Sequence, residues 1–123
     1  MGMYTEIVVK ARIRGDIGAI EKAALLFLFK REAEPEALPD HMFFTKPRWQ
    51  MIGACSSYYH HPETVNSFVE NGTYLFSRSD IKNYDGEIEA FFDWLKPLMG
   101  AHEGQCIGYS WYEESDTPTL ILK

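Results

Sequence analysis

The stretch from Gly72 to Asp85 reads GTYLFSRSDIKNYD, and its alternation predicts a β-strand with two very different faces. One face would carry two rings and a guanidinium, and the other two aliphatic and two hydroxyl side chains: Tyr74, Phe76 and Arg78 against Leu75, Ile81, Ser77 and Ser79. Only one face can point into a core. We expect it to be the Leu75 face, although the opposite arrangement, with the rings buried and Arg78 at the rim, stays open.

A second strong strand is predicted over Thr5–Ile13 (TEIVVKARI), which alternates in the same way. Ile7, Val9 and Ile13 share the face expected in the core. Lys10 and Arg12 fall on the other, wetter face, as is typical of an antiparallel sheet with one side packed.

The rest of the chain predicts two helices and further strands. Asp16 is a candidate N-cap for a helix with the stripe Ile17, Ile20, Ala24, Phe27 and Leu28, and Asp85 is a candidate cap for a helix to about Leu95. Strands are predicted at Trp49–Ser56, Gln105–Glu113 and Thr119–Leu122, with Asn71-Gly72 as a hairpin-type turn. For Thr64–Val69 a short strand and a turn of irregular chain both stay open.

This order of elements predicts a single α+β domain over residues 1–123. The expected architecture is an antiparallel sheet with both helices on one face, in a ferredoxin-like βαββαβ arrangement with an extra terminal strand. The first strand and the Tyr74 strand would lie in the middle of the sheet. The Gln105 strand would bury Ile107, Tyr109 and Trp111 and turn Gly108 and Ser110 outward.

Charge and composition exclude several classes of function. The net charge is −6, divided into +1 over residues 1–50 and −7 over residues 51–123, which argues against a duplex-DNA footprint. The two cysteines form no CxxC pair and require no disulfide framework. The longest apolar run, Ala23–Phe29, is far shorter than a membrane span, and residues 1–10 contain no apolar signal core. We therefore expect a cytoplasmic protein that does not bind membranes.

The outward face of the two central strands is the predicted ligand site. Lys10, Arg12 and Arg78 would meet phosphates, Tyr74 and Phe76 with Trp49 or Tyr58 would stack on bases, and Ser77, Ser79 and Ser110 would supply hydroxyl contacts. Sheets that recognise RNA hold bases in a comparable way. A dimer interface or a packed loop on this face is the alternative, because an uncovered sheet face usually meets something.

Other groups of residues give weaker evidence for a functional site. Cys55, His60, His61 and Glu63 lie near one another in sequence, but adjacent histidines on extended chain point in opposite directions and rarely share one metal ion. A cysteine nucleophile would need a histidine and an orienting acid beside it. The chain has no P-loop, no GxGxxG and no HExxH. We therefore predict no catalytic residues, no metal and no cofactor.

Four segments resemble a family of small, uncharacterised proteins of tailed phages and prophages: YTEIVVKA, LPDHMFFTKPRWQMIGACSSYYHHP, LFSRSDIKNYDGEIEAFFDWLKP and YEESDTPTL. The likeness covers nearly the whole chain apart from REAEPEA, and no catalytic residue is carried over from it. It implies a setting in the cytoplasm of an infected bacterium, where small phage proteins without enzymatic motifs are frequently inhibitors of host defence.

With that setting, the expected function is non-catalytic sequestration of a nucleotide-type immune signal by a homodimer or higher oligomer. The signal would be a cyclic oligonucleotide or an ADP-ribose derivative. Two alternatives remain: a protein-directed inhibitor whose acidic C-terminal half occupies a CRISPR, restriction or other nuclease complex, and a phage accessory protein with no ligand.

Overall fold

The computed structural model describes residues 3–57, 61–69 and 73–123, which form one antiparallel sheet, two α-helices and three short 3₁₀ helices. The strands are β1 (Thr5–Arg12), β2 (Val65–Val69), β3 (Tyr74–Ile81), β4 (Cys106–Tyr112) and β5 (Thr119–Leu122), and the helices are α1 (Ala19–Lys30) and α2 (Glu87–Leu95). The 3₁₀ helices are Met42–Thr45, Trp49–Met51 and Lys96–Leu98. Across these residues, neither helix has the length and apolar character needed to cross a bilayer.

The strand order is β2-β3-β1-β4-β5, and every neighbouring pair is antiparallel. The first four strands with α1 and α2 make the predicted ferredoxin-like βαββαβ arrangement, and β5 is the predicted extra strand beside β4. β1 and β3 occupy the middle of the sheet, so the α+β prediction is confirmed.

The parity predicted for the two central strands is also confirmed. Ile7 and Val9 of β1 and Leu75 of β3 are buried in one apolar core with Ile88 and Phe91 of α2. Tyr74 and Phe76 lie on the opposite side of β3 and remain 42% and 38% exposed. The helices therefore cover one face of the sheet, and the rings point away from them.

The predicted strand over Trp49–Ser56 is wrong. Trp49–Met51 is a 3₁₀ helix that follows the one at Met42–Thr45. The buried rings of Phe43, Phe44 and Trp49 contact one another, and Phe44 also packs edge-on against Trp94 of α2. These rings pack over the core from a compact segment with two 3₁₀ helices. The second strand of the βαββαβ unit is instead the short Val65–Val69 segment.

Both predicted helix caps are corrected. α1 begins at Ala19 after Gly18, while Asp16 pairs with Arg14 outside the helix. The buried face of α1 also differs from the predicted stripe. Its buried residues are Ala24, Leu25, Leu28 and Phe29, whereas Ile20 is 45% exposed. The run AALLFLF is packed nearly all round, because Leu26 and Phe27 also contact the core.

At α2 the N-cap is Gly86, in the left-handed conformation at φ 73°. The side-chain oxygen of Asn83 accepts the backbone N–H of Ile88 at 2.8 Å, and so takes over a capping bond expected from Asp85. Asp85 instead accepts a hydrogen bond from the Arg48 guanidinium at 2.8 Å.

The parity predicted for β4 is wrong beyond Ile107. A register shift between Cys106 and Gly108 leaves Ile107 in the core but turns Tyr109 and Trp111 to the helix-free side, opposite Val8 and Glu6. Glycine is needed at position 108 for this register, because any Cβ there would lie 1.9 Å from the Val8 carbonyl oxygen. Ser110 consequently faces the helix side, opposite Ile7.

Candidate functional site

The side chains that point away from α1 and α2 form what we call the helix-free face. Its charged residues divide into two groups. Glu6, Arg78 and Asp80 are buried at one end, and Lys10 and Arg12 are exposed at the other. The two groups have opposite chemical consequences, because only the second keeps its charge available to solvent.

The buried group is an ion cluster centred on Arg78. The Nε of Arg78 donates to Glu6 at 2.7 Å and Nη2 donates to Asp80 at 2.8 Å, while Nη1 donates to the Ser56 hydroxyl at 3.1 Å and to the Glu63 carbonyl at 3.2 Å. Arg78 is only 6% exposed. The guanidinium therefore neutralises two buried carboxylates and joins the sheet to its neighbouring loop, so the prediction that it meets a ligand phosphate is wrong.

Tyr109 extends this ion cluster across β1. Its hydroxyl donates to Glu6 at 3.2 Å. Burial raises the pKa of Tyr109, and the negative charge of Glu6 raises it further. The phenol keeps its proton at neutral pH and acts as a hydrogen-bond donor that helps satisfy the buried carboxylate.

The exposed end of the face holds a shallow groove of about 350 Å³. The sheet register puts Lys10 directly opposite Phe76 and Arg12 directly opposite Tyr74. Ser67 and Val69 of β2, with Gln105 at the other side, also line the groove. Two cations on β1 and two exposed rings on β3 thus meet on adjacent strands, with Ser67 and Val69 of β2 beside the rings.

Lys10 and Arg12 are free to meet a ligand. Within residues 3–57, 61–69 and 73–123, neither side chain forms an ion pair or a side-chain hydrogen bond. Among the described residues, the strands of the helix-free face carry two carboxylates, Glu6 and Asp80, and both bind Arg78 at the buried end. The exposed charges that the described strands place at this end are therefore the two cations, in a chain whose net charge is −6.

Four predicted ligand residues lie elsewhere. Ser77 and Ser79 are buried on the helix side, where Ser77 donates to Asn66 at 2.6 Å and Ser79 accepts the Gly53 N–H at 3.0 Å. Trp49 is buried among the core rings, and Ser110 faces the helix side. Tyr58 lies outside the described residues. Of the predicted set, Lys10, Arg12, Tyr74 and Phe76 are brought together.

Sequence reasoning missed Ser67 and Val69 as parts of the site. β2 pairs with β3 so that Ser67 lies opposite Phe76 and Val69 opposite Tyr74. The signal was present in the chain: a hairpin-type turn at Asn71-Gly72 predicts that the strand before it runs beside Tyr74 and Phe76.

Of the positions weighed from sequence as a metal or nucleophile site, His60 lies outside the described residues. Among the described residues, no three His, Cys, Asp or Glu side chains are placed to hold a metal ion. Burial raises the pKa of the Cys55 thiol, and the charge of Asp80 raises it further, so the thiolate is disfavoured at neutral pH. His41 binds Asp93 at 2.9 Å and accepts the Phe43 N–H at 3.0 Å, which fixes the 3₁₀ loop to α2.

A second cavity of about 360 Å³ lies on the helix side, where α2, β1 and β4 meet. Its lining is rich in hydroxyls, with Thr5, Ser110 and Tyr112 projecting from neighbouring strands and Glu89 from α2. Its described lining includes no Lys or Arg side chain, in contrast to the groove.

Comparison with known proteins yields no relative: no family model matches the chain, and no curated protein and no solved structure matches it. Function therefore has to be argued from the geometry of the helix-free face.

Proposed function

We propose that the protein is a non-catalytic binding protein that captures an anionic, nucleotide-type ligand in the groove of its helix-free face. The observation that carries this proposal is the placement of two exposed cations, Lys10 and Arg12, opposite two exposed rings of the neighbouring strand, Phe76 and Tyr74. Neither cation forms an ion pair with another described residue. A ligand that satisfies both needs negative charge next to a flat, apolar group, and a nucleotide combines the two.

The energetics of such a site are favourable without any catalytic group. A base stacked on an aromatic side chain contributes about 1–3 kcal/mol. A phosphate that meets Lys or Arg gains charge-assisted hydrogen bonds, and the guanidinium of Arg12 can hold it in a bidentate way. The groove contains no nucleophile–base pair within its described lining, which fits capture rather than turnover.

The resemblance to phage and prophage proteins supports a biological setting for this capture. We place it in the cytoplasm of an infected bacterium, where the protein would sequester a cyclic oligonucleotide or an ADP-ribose derivative used as an immune signal. Tight binding alone would suffice, because removing the free signal keeps the host response silent.

Thermal unfolding with a panel of cyclic dinucleotides, cyclic trinucleotides and ADP-ribose cyclisation products tests the proposal. A ligand present at 100 times its Kd stabilises the native state by about 2.7 kcal/mol, which for a chain of this size raises the melting temperature by about 10 °C. The double variant Lys10→Gln with Arg12→Gln should lose that rise and keep the melting temperature of the unliganded protein.

The matched control is Lys22→Gln with Lys30→Gln, which removes the same charge from exposed positions of α1. This control should respond to the ligand as the wild type does. If no ligand of the panel changes the wild-type melting temperature, the proposal is wrong. Recovery of one defined host protein by pull-down would then favour a protein-directed inhibitor.

A protein contact through the same face is the second candidate. Leu120 and Leu122 of β5 are 63% and 48% exposed, and Val65 of β2 is 42% exposed, all on or beside this face. Exposed apolar groups spread over a sheet face are typical of interfaces, and a stable interface buries about 800 Å² per partner. If this candidate holds, light scattering will give the mass of a dimer, Leu120→Glu will return it to a monomer, and no nucleotide of the panel will raise the melting temperature of either form.

A further inference from the structure

The groove on the helix-free face repeats its own pattern across three strands. Each of two neighbouring rows contains a cation on β1, a ring on β3 and a small side chain on β2. The first row is Lys10, Phe76 and Ser67, and the second row is Arg12, Tyr74 and Val69.

The two rows lie two residues apart along each strand, which corresponds to about 6.6 Å. Because successive residues of a strand point to opposite faces, two residues is the smallest repeat that one face of a sheet can offer. A nucleic acid strand repeats in a matching way, since every nucleotide brings one base and one phosphate.

We propose that each row holds one nucleotide, so that the ligand of the helix-free face is an oligonucleotide with at least two bases and two phosphodiester-spaced phosphates. This inference rests on the proposed function and specifies its ligand class. In each row the ring stacks on the base and the cation meets the phosphate of the same nucleotide.

The repeat disfavours the other ligand class, an ADP-ribose derivative. Such a molecule has a single base, which would leave one of the two exposed rings without a stacking partner. Its two phosphates share one bridging oxygen, so they lie side by side rather than one row apart. The two separate cations on β1 fit phosphates that are separated by a sugar.

Titration calorimetry with AMP and with the 5′-phosphorylated diadenylate pApA tests the inference, with GMP and pGpG and with UMP and pUpU as further pairs. For at least one base, the wild type should bind the dinucleotide roughly 5- to 150-fold more tightly than the mononucleotide, the factor expected from one additional stacked base.

Row-specific variants make the test sharper. Arg12→Gln with Tyr74→Leu removes the second row, and Lys10→Gln with Phe76→Leu removes the first. Either double variant should bind the dinucleotide no more tightly than the mononucleotide, while still binding the mononucleotide at the remaining row. The four substitutions together should abolish both.

The possible results distinguish a failure of the two-row arrangement from a failure of nucleotide binding itself. Equal affinity of the wild type for mononucleotide and dinucleotide would overturn the two-row arrangement and leave a one-nucleotide site standing. A row variant that weakens both ligands by the same factor would also overturn it. If no nucleotide of any length binds, the proposed function fails and the inference fails with it.

Discussion

The ion cluster around Arg78 makes a sharp prediction about stability. In Arg78→Ala, the carboxylates of Glu6 and Asp80 lose the guanidinium that lies 2.7 and 2.8 Å from them, and both are buried. Removing one partner of a buried ion pair costs about 3–5 kcal/mol, because the other charge stays buried without compensation. The entropy of unfolding of a chain of this length converts each kcal/mol into about 4 °C, so the melting temperature should fall by about 12–20 °C.

Urea unfolding followed by circular dichroism measures the loss directly. Arg12→Ala is the matched control: Arg12 is exposed and unpaired among the described residues, and it should change the free energy of unfolding by less than about 0.5 kcal/mol. Arg78→Lys should fall between the two, because an ammonium keeps the charge but lacks the fork that reaches both carboxylates. A loss below about 1 kcal/mol in Arg78→Ala would show that the guanidinium is not the counter-ion of this cluster.

Three further predictions concern β4 and the cysteines. Gly108→Ala should lower the free energy of unfolding by about 3 kcal/mol or more in urea, because its Cβ would lie 1.9 Å from the Val8 carbonyl oxygen. Gly15→Ala, with open space around the added Cβ, should change it very little, and equal losses in the two variants would contradict the close approach at Gly108. Since burial and the charge of Glu6 raise the pKa of Tyr109, the folded chain holds the phenol proton to higher pH than the unfolded chain, so stability should fall as the pH rises from about 10 through the folded pKa. Tyr109→Phe should flatten that fall in unfolding curves taken at several pH values, and an unchanged slope would contradict it. Iodoacetamide near pH 8 should modify exposed Cys106 before Cys55, whose pKa is raised by burial; peptide mass spectrometry that finds equal rates would refute this.

Alternation along the two central strands was sufficient to predict the sheet, its helix-covered face and four residues of the candidate site. In β1 the apolar Ile7 and Val9 share one face while Lys10 falls on the other, so its parity follows from the chain itself. In β3 the sequence left both parities open, and the pairing with β1 buries Leu75 on the helix side. The same logic failed on β4, because the register shift before Gly108 reverses the parity of Tyr109. A shift of that kind depends on the neighbouring strand, which the local pattern does not contain.

The fate of Arg78 could not be predicted for a related reason. Its direction away from the helices was correct, but its burial depends on Glu6, Ser56 and Glu63, three residues that lie far from it in sequence. The 3₁₀ segment at Trp49 was mistaken for a strand because its side chains pack by ring-to-ring contacts with Phe44, and such contacts leave no period in the sequence.

The short final strand also protects the molecule against unwanted assembly. β5 has only four residues, and Lys123, which follows its last residue Leu122, donates hydrogen bonds from its ammonium to the carbonyl groups of Met99 and Ala101. An edge strand this short offers an incoming peptide few unpaired backbone N–H and C=O groups. Short edge strands are one way in which natural sheets limit aggregation. A longer β5, with the leucines it already displays, would turn that side of the protein into an aggregation hazard.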